Sequence, residues 1–257
     1  MITVENHAFQ KALGMLGRCV DRGSTIPILG SVKAVVNGRL DLSATDLDMA
    51  LHVGLPLGGE AAPGAFLIDN FRRTAKACGA AGGETVTLEP GETGVAVKAG
   101  SLTMCSGEKL RVDDFPGDQT DVVDPWMTVT LSPDHLAKIA RICPAISTED
   151  TRYYLNGVYL HHLDGWTWRA VATDGHRMMF VDLSLPDMRG AADGVIIERK
   201  AIRLAIGLLA KGVDAVTMEI GGGVLPNRDD STAPDRVGLP RISFTGVAQG
   251  LPVRLTA

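Results

Sequence analysis

Three short motifs occur twice in this chain, in the same order and at nearly the same spacing. Ala44-Thr45-Asp46 returns as Ala172-Thr173-Asp174, an offset of 128 residues. Val86-Thr87-Leu88-Glu89 returns as Val216-Thr217-Met218-Glu219 at an offset of 130, and Leu67-Ile68-Asp69 as Ile196-Ile197-Glu198 at 129. An internal repeat constrains architecture more than any local signal, because each copy has to be a structural unit. A period of half the chain is too long for a solenoid repeat. The reading is two homologous domains, residues 1–125 and 126–257, each near the usual domain size and able to bury its own core.

Hydrophobic residues make up 45% of the chain and charged residues 21%, as in ordinary globular domains. The net charge of −5 argues against nucleic acid when taken alone, but net charge does not say where the charges lie. The start, Met1-Ile2-Thr3-Val4-Glu5, lacks the basic segment and apolar core of a secretion signal. No apolar run approaches the ~18 residues that a membrane span needs. Cys19, Cys78, Cys105 and Cys143 show no close paired spacing, which indicates neither a zinc knuckle nor a disulfide framework. The expectation is a cytoplasmic protein with reduced, packed cysteines and no membrane partner.

Both halves read in one order. Phe9, Ala12, Leu13, Leu16 and Val20 keep the spacing of one apolar helix face. Leu136, Ile139, Ala140 and Cys143 do the same after Ser132-Pro133-Asp134, a cap followed by proline at the first helical position. Strands follow: Ser31 to Val36 and Arg39 to Ala44 flank the hairpin signal Asn37-Gly38. In the second half, Gly157 to His161 and Thr167 to Ala172 flank Leu163-Asp164-Gly165. Each half then offers a second helix, about 69–80 and 199–211, and further short strands. The fold class is α+β, with two helices packed on antiparallel sheets in each domain.

The helices carry an uneven charge. Lys11, Arg18, Arg72, Arg73, Lys76, Lys138, Arg141, Arg199, Lys200, Arg203 and Lys211 fall on them, against two acids, Asp69 and Asp134. Any one basic helix can be a solvated face. A bias shared by all four, in an acidic protein, suits a surface that holds a phosphate backbone without reading bases.

Six of the twelve aromatics lie between Tyr153 and Phe180, so the second domain is differentiated there. Ala172-Thr173-Asp174 continues as Gly175-His176-Arg177, whereas Ala44-Thr45-Asp46 continues as Leu47-Asp48-Met49. The fold therefore does not require glycine, histidine and arginine at this turn, which favours a functional role for all three. Enzymatic readings are weaker. His161 and His162 are strand neighbours on opposite faces, so with His176 they make a poor metal site. Asp174 and His176 have no nucleophile elbow or paired serine beside them. Gly221-Gly222-Gly223 lacks the phosphate-loop lysine and the dinucleotide-fold spacing. No catalytic residue, metal or cofactor is expected.

Together these stretches resemble the bacterial DNA polymerase III sliding clamp, or β subunit, family. The matching segments are Thr25 to Gly30, Ala44 to Leu47, Asp114-Phe115-Pro116, Thr151-Arg152-Tyr153-Tyr154-Leu155-Asn156-Gly157 and Ala172 to Arg177. The resemblance runs to about residue 220 and weakens between Leu225 and Pro240. It implies a clamp fold and a non-enzymatic ring around duplex DNA, with helices lining the hole, and a pocket for polymerase and clamp-loader peptides. Carried over by motif, that pocket comprises Leu155, Thr173, Gly175, His176, Arg177 and Met178. Leu251-Pro252-Val253-Arg254-Leu255 resembles the family's closing segment and adds Leu251, Pro252 and Val253. The DNA-facing set is Lys11, Arg18, Arg22, Arg72, Arg73, Lys76, Lys138, Arg141, Tyr153, Tyr154, Arg199, Lys200 and Arg203. The chain departs from the family at Glu149, where glutamine is common, and at Arg22, where the basic residue usually stands one place later.

The larger departure is length, since the usual family chain has three such domains and closes a ring of six as a dimer. Helices spaced ~9 Å apart, two per domain, leave a hole of about 24 Å in a six-domain ring once a helix radius of ~5 Å is removed on each side. Four domains leave roughly 13 Å, too narrow for duplex DNA. A ring of this chain is therefore expected to be a homotrimer. The alternative is a clamp-like module that never closes a ring and competes for clamp partners.

Overall fold

The computed structural model describes residues 1–20, 24–91, 94–106, 110–116, 122–190, 194–210, 215–225 and 236–257. Met1–Gly117 with Gln249–Val253 form one compact unit, and Asp118–Ala248 with Arg254–Ala257 a second.

The first unit runs β1 (Ile2–Glu5), α1 (Asn6–Leu16), β2 (Val32–Val36), β3 (Leu40–Thr45), β4 (Ala50–Leu55), β5 (Gly64–Ile68), α2 (Phe71–Ala81), β6 (Thr85–Gly91), β7 (Gly94–Ala99) and β8 (Leu102–Ser106). The second runs β9 (Val122–Leu131), α3 (Pro133–Ile142), β10 (Gly157–Asp164), β11 (Thr167–Thr173), β12 (Met178–Ser184), β13 (Arg189–Gly190), β14 (Val195–Glu198), α4 (Arg199–Leu209), β15 (Val216–Leu225) and β16 (Arg236–Ala248). The last strand, β17 (Leu251–Thr256), is divided: its first residues cluster with the first unit, where β17 runs beside β4.

The repeat extends to strand order. Antiparallel strands β4-β3-β2-β5 in the first unit correspond to β12-β11-β10-β14 in the second, and β1-β6-β7-β8 correspond to β9-β15-β16-β17. Alternation explains which side each sheet buries: Val32, Ala34 and Val36 are fully or almost fully buried, while Lys33 and Val35 between them are half-buried. The hairpin at Asn37-Gly38 forms with Gly38 at φ 71°, a left-handed conformation that glycine adopts at little cost.

The first helix ends earlier than its apolar periodicity suggests. The spacing predicts a helix to residue 20, yet α1 stops at Leu16 and tight turns carry Cys19 and Val20 into the core. Asp69 is not a helical acid: it precedes α2, is 5% exposed, and accepts a hydrogen bond from Ser31 Oγ. Phe9, Leu13 and Leu16 bury completely against the strands of the first unit. Asn6, at the start of α1, is buried because its amide reaches the carbonyls of Cys78, Gly82 and Gly83 at 3.0–3.2 Å. It thereby satisfies orphan carbonyls at the end of α2 and ties the two helices together. In the second unit Ser132 caps α3: its hydroxyl accepts from His135 N, and His135 Nδ1 accepts from Ser132 N, each at 3.2 Å. Burial holds the His135 pKa below its usual value, which keeps Nδ1 available as an acceptor.

Two of the sequence motifs meet in a satellite core. Ile28 and Leu29 pack with Leu67 and Phe115, and Leu110 and Val112 lie against them.

Candidate functional site

The turn joining β11 to β12 is built around one carboxylate. Asp174 Oδ1 accepts from the backbone N–H groups of His176 and Arg177, both at 3.0 Å, and Oδ2 accepts from Arg177 Nε at 3.0 Å. Thr173 Oγ1 accepts from Gly175 N at 3.1 Å and donates to the Arg177 carbonyl at 2.8 Å. The backbone N–H donors, with the guanidinium behind them, hold the Asp174 pKa down to about 2. A second guanidinium nitrogen, Arg177 Nη2, donates to the Pro144 carbonyl at 2.7 Å and so anchors the turn to the segment after α3.

The first unit contains the same turn. Thr45 Oγ1 donates to the Met49 carbonyl and accepts from Leu47 N, while Asp46 Oδ1 accepts from Asp48 N and Met49 N. Threonine and aspartate are therefore conformational devices in both copies. The residue after them is left-handed in both, Leu47 at φ 81° and Gly175 at φ 86°. This corrects the view that the fold is indifferent to glycine here. The backbone demands positive φ, which Gly175 meets freely and Leu47 meets under strain. His176 and Arg177 remain the side chains that the shared turn does not dictate.

Because a depressed carboxylate pKa stabilises the folded state above the unfolded value and is lost as pH falls toward the folded one, this turn contributes stability above about pH 4 that disappears toward pH 2. Titration of the Asp174 carboxyl by NMR is expected to show the low midpoint. Asp174→Asn is expected to make the acid limb of the stability curve shallower between those values. An ordinary midpoint for Asp174, or an unchanged acid limb, would contradict this account.

Among the residues expected to form a pocket, Thr173, Gly175, His176, Arg177 and Met178 share this turn. Leu155 ends the short 3-10 segment Asp150–Leu155 and is half-buried. Met178 is 64% exposed. On the same side of β12, Phe180 is covered by the Arg169 guanidinium, 4.3 Å from the ring centroid. Leu251 and Val253 are buried and Pro252 is exposed; all three cluster with the first unit, where Pro252 Cγ lies 3.0 Å from the position a Cβ on Gly54 would take. Sequence reasoning missed Arg152 as a site residue. Its Nη1 stands 3.2 Å from where a Cβ on Gly175 would be, and it pairs with Glu149 at 3.2 Å. The signal available was its place in the Thr151–Gly157 stretch.

The basic residues divide by exposure. Arg18, Arg72, Arg73, Lys76, Arg141, Lys200 and Arg203 are exposed, whereas Lys11, Lys138 and Arg199 are half-buried. Several also hold structure: Arg72 donates to the Gly17 carbonyl, Arg199 to that of Ser147, and Lys138 pairs with Asp134 at 2.9 Å. Tyr153 and Tyr154 are exposed, edge to face, with centroids 5.6 Å apart. Arg22 lies outside the described residues, as does Lys211. Among the described residues no group of three or more histidine, cysteine or acidic side chains is placed to hold a metal, and no helix is long and apolar enough to cross a membrane.

Comparison with known proteins places this arrangement. Residues 130–232 match the family described as the DNA polymerase III beta subunit, central domain. The beta sliding clamp of Caulobacter vibrioides strain NA1000 is 32% identical over 229 residues, covering 85% of this chain and 60% of that protein. That of Pseudomonas aeruginosa is 30% identical, covering 85% and 59%. The crystal structure of the DNA polymerase III subunit beta from Pseudomonas aeruginosa superposes on all of this chain with a TM-score of 0.81 at 25% identity, using 64% of its own length. A Bartonella birtlesii sliding clamp bound to griselimycin superposes with a TM-score of 0.79 at 30% identity, over 100% of this chain and 64% of that one. The chain thus spans about three fifths of the length of the relatives it matches.

Proposed function

This chain is a relative of the bacterial DNA polymerase III β sliding clamps in sequence and fold, and from that premise we propose that it acts as a sliding clamp without catalytic activity. Two clamp domains per chain, three chains per ring, enclose cytoplasmic duplex DNA and tether a polymerase and other partners to it. The observation that carries this reading is the exposure of six lysines and arginines on α2, α3 and α4, with Arg18 exposed just after α1, in a protein with net charge −5. Charge concentrated in this way attracts phosphates while each contact stays weak, which suits holding without gripping. Partner peptides dock at the β11–β12 turn. Met178 and Leu155 supply apolar floor, and His176 and Arg177 supply the rim.

Retention on DNA tests the ring. Loaded protein is expected to stay on nicked circular duplex and to leave when that circle is cut, because only a topological link distinguishes the two. Replacing Arg72, Arg73 and Lys76 together with glutamate should lower retention by about tenfold or more, with the circular-dichroism spectrum unchanged. Wild-type protein that leaves circular and linear DNA at one rate would refute the ring. The reading would then pass to a module that binds clamp partners without encircling DNA.

A further inference from the structure

The satellite core of the first unit has a counterpart in the second that is open to solvent. Thr25-Ile26-Pro27-Ile28-Leu29-Gly30 and Thr151-Arg152-Tyr153-Tyr154-Leu155-Asn156 each pass through a 3-10 turn into the strand that follows, β2 or β10. Aligned on those strands, Ile28 and Leu29 correspond to Tyr154 and Leu155, and Lys33 corresponds to Tyr159. The sheet register agrees, since Lys33 stands opposite Leu67 and Tyr159 opposite Ile196. In the first unit Phe115 fills this place. It is buried against Ile28, Leu29 and Leu67, with Lys33 Nζ 5.8 Å from its ring centroid.

The corresponding side chains of the second unit are uncovered. Leu67 is 6% exposed and Ile196 47%; Ile28 is 8% exposed and Tyr154 56%. The opening continues as an apolar row across the solvent face of the sheet. Phe180, Val171, Tyr159 and Ile196 stand opposite one another on β12, β11, β10 and β14. Phe180 and Tyr159 are exposed and Val171 is half-buried. The matching row of the first unit is His52, Ser43, Lys33 and Leu67, polar at three of its four places. The shared fold therefore does not require an apolar row here. A contiguous exposed row of this kind marks a surface that something else covers.

The repeat also shows what kind of segment fits. In the first unit Leu110 and Val112 lie against the satellite core beside Phe115, so the covering segment places aliphatic residues five and three positions before a phenylalanine. We propose that the solvent face of β12-β11-β10-β14 docks a partner segment of that same build. The partner's phenylalanine takes the place over Ile196 and Tyr159 that Phe115 holds over Leu67 and Lys33, with Leu155 and Tyr154 beside it. Its aliphatic residues rest on the rest of the row, Val171 and Phe180. An aromatic anchor in an apolar seat is where most of the energy of such a contact resides. The proposal rests on the reading of this chain as a docking platform for partner peptides. It adds a second seat next to the β11–β12 turn, with Leu155 common to both.

The probe is the synthetic peptide Leu-Arg-Val-Asp-Asp-Phe-Pro, the sequence of residues 110–116, labelled with fluorescein and titrated with the full chain by anisotropy. Saturable binding is expected. Exchanging the phenylalanine of the probe for alanine should weaken it by about tenfold or more, the value of one buried aromatic side chain. Ile196→Asp should weaken the unaltered probe by about as much, with the circular-dichroism spectrum unchanged. Val171→Ser with Phe180→His should weaken it as well. That second variant carries residues the first unit already holds in its own row, so it decides the matter if Ile196→Asp does not fold. Gly175→Leu should bind the probe as wild type does. No saturable binding, equal binding of the alanine probe, or wild-type affinity in the folded variants would overturn the site. Wild-type protein that ignores the probe while Ile196→Asp sediments as a smaller species would assign the face to a second copy of the chain instead. The two docking readings fail separately. Loss of the probe in Gly175→Leu, with full binding in Ile196→Asp, would place it at the turn and refute this face. Full binding of a polymerase-derived peptide by Gly175→Leu would refute the turn, and the probe would still report on this face.

Discussion

Gly175→Leu is expected to weaken binding of a polymerase-derived peptide with leucine and phenylalanine anchors by about 100-fold, roughly 2.7 kcal/mol, while the protein stays folded. The equivalent turn of the first unit shows that the backbone accepts leucine, since Leu47 already sits there at φ 81°. A non-glycine residue at positive φ costs about 1–2 kcal/mol, well below the stability of a domain. The nearest atom to the new Cβ is Arg152 Nη1, at 3.2 Å, the far end of a flexible side chain that can move aside. The cost therefore falls on whatever approaches the turn from outside. Gly165→Leu is the control. Gly165 also has positive φ, 49°, with open space around its Cβ position, and it lies in the turn at the opposite ends of β10 and β11. It should show the same small stability loss and unchanged peptide affinity. Titration by fluorescence anisotropy separates the two. Wild-type affinity in Gly175→Leu would move the pocket elsewhere.

Phe9→Ala is expected to give the largest loss of stability, about 3–5 kcal/mol. Phe9 is completely buried on α1, with Leu13 and Leu16 on the same face. Its removal leaves a cavity that the surrounding aliphatic side chains cannot fill without losing their own contacts. A domain has only about 5–15 kcal/mol in hand, so the first unit would be brought near unfolding. Urea denaturation should show the transition of that unit shifted down by about 2 M. A loss under about 1 kcal/mol would mean that α1 does not anchor the first unit.

Part of this protein could be read locally. The two Ala-Thr-Asp turns are legible because their hydrogen bonds run two to four residues along the chain, from the Asp174 and Asp46 carboxylates and the Thr173 and Thr45 hydroxyls. A motif that folds on itself looks the same wherever it recurs. The helices, the Asn37-Gly38 hairpin and the doubled order of elements follow from periodicity and turn chemistry for the same reason. The α+β clamp fold and the kinship with β clamps were legible in those motifs as well.

Other features depend on partners far along the chain. Asp69 looks like a helix-opening acid until Ser31, 38 positions away, is found against it. Asn6 has no helical signature that announces its bonds to Cys78, Gly82 and Gly83. The left-handed backbone of Leu47 is hidden because leucine rarely adopts it, and only the closed turn enforces it. Arg152 reaches Gly175 because the 3-10 segment packs beside the β11–β12 turn. Most of all, nothing in Leu-Thr-Met-Cys-Ser or in Met-Met-Phe-Val says that these strands are edges. Both read as ordinary half-buried strands, and strand pairing is a non-local choice that residue pattern leaves open. The sequence by itself determined the repeat, the helices and the turns, where each interaction closes within a few residues. Tertiary structure decided which edges are left uncovered, because that depends on every other pairing already made.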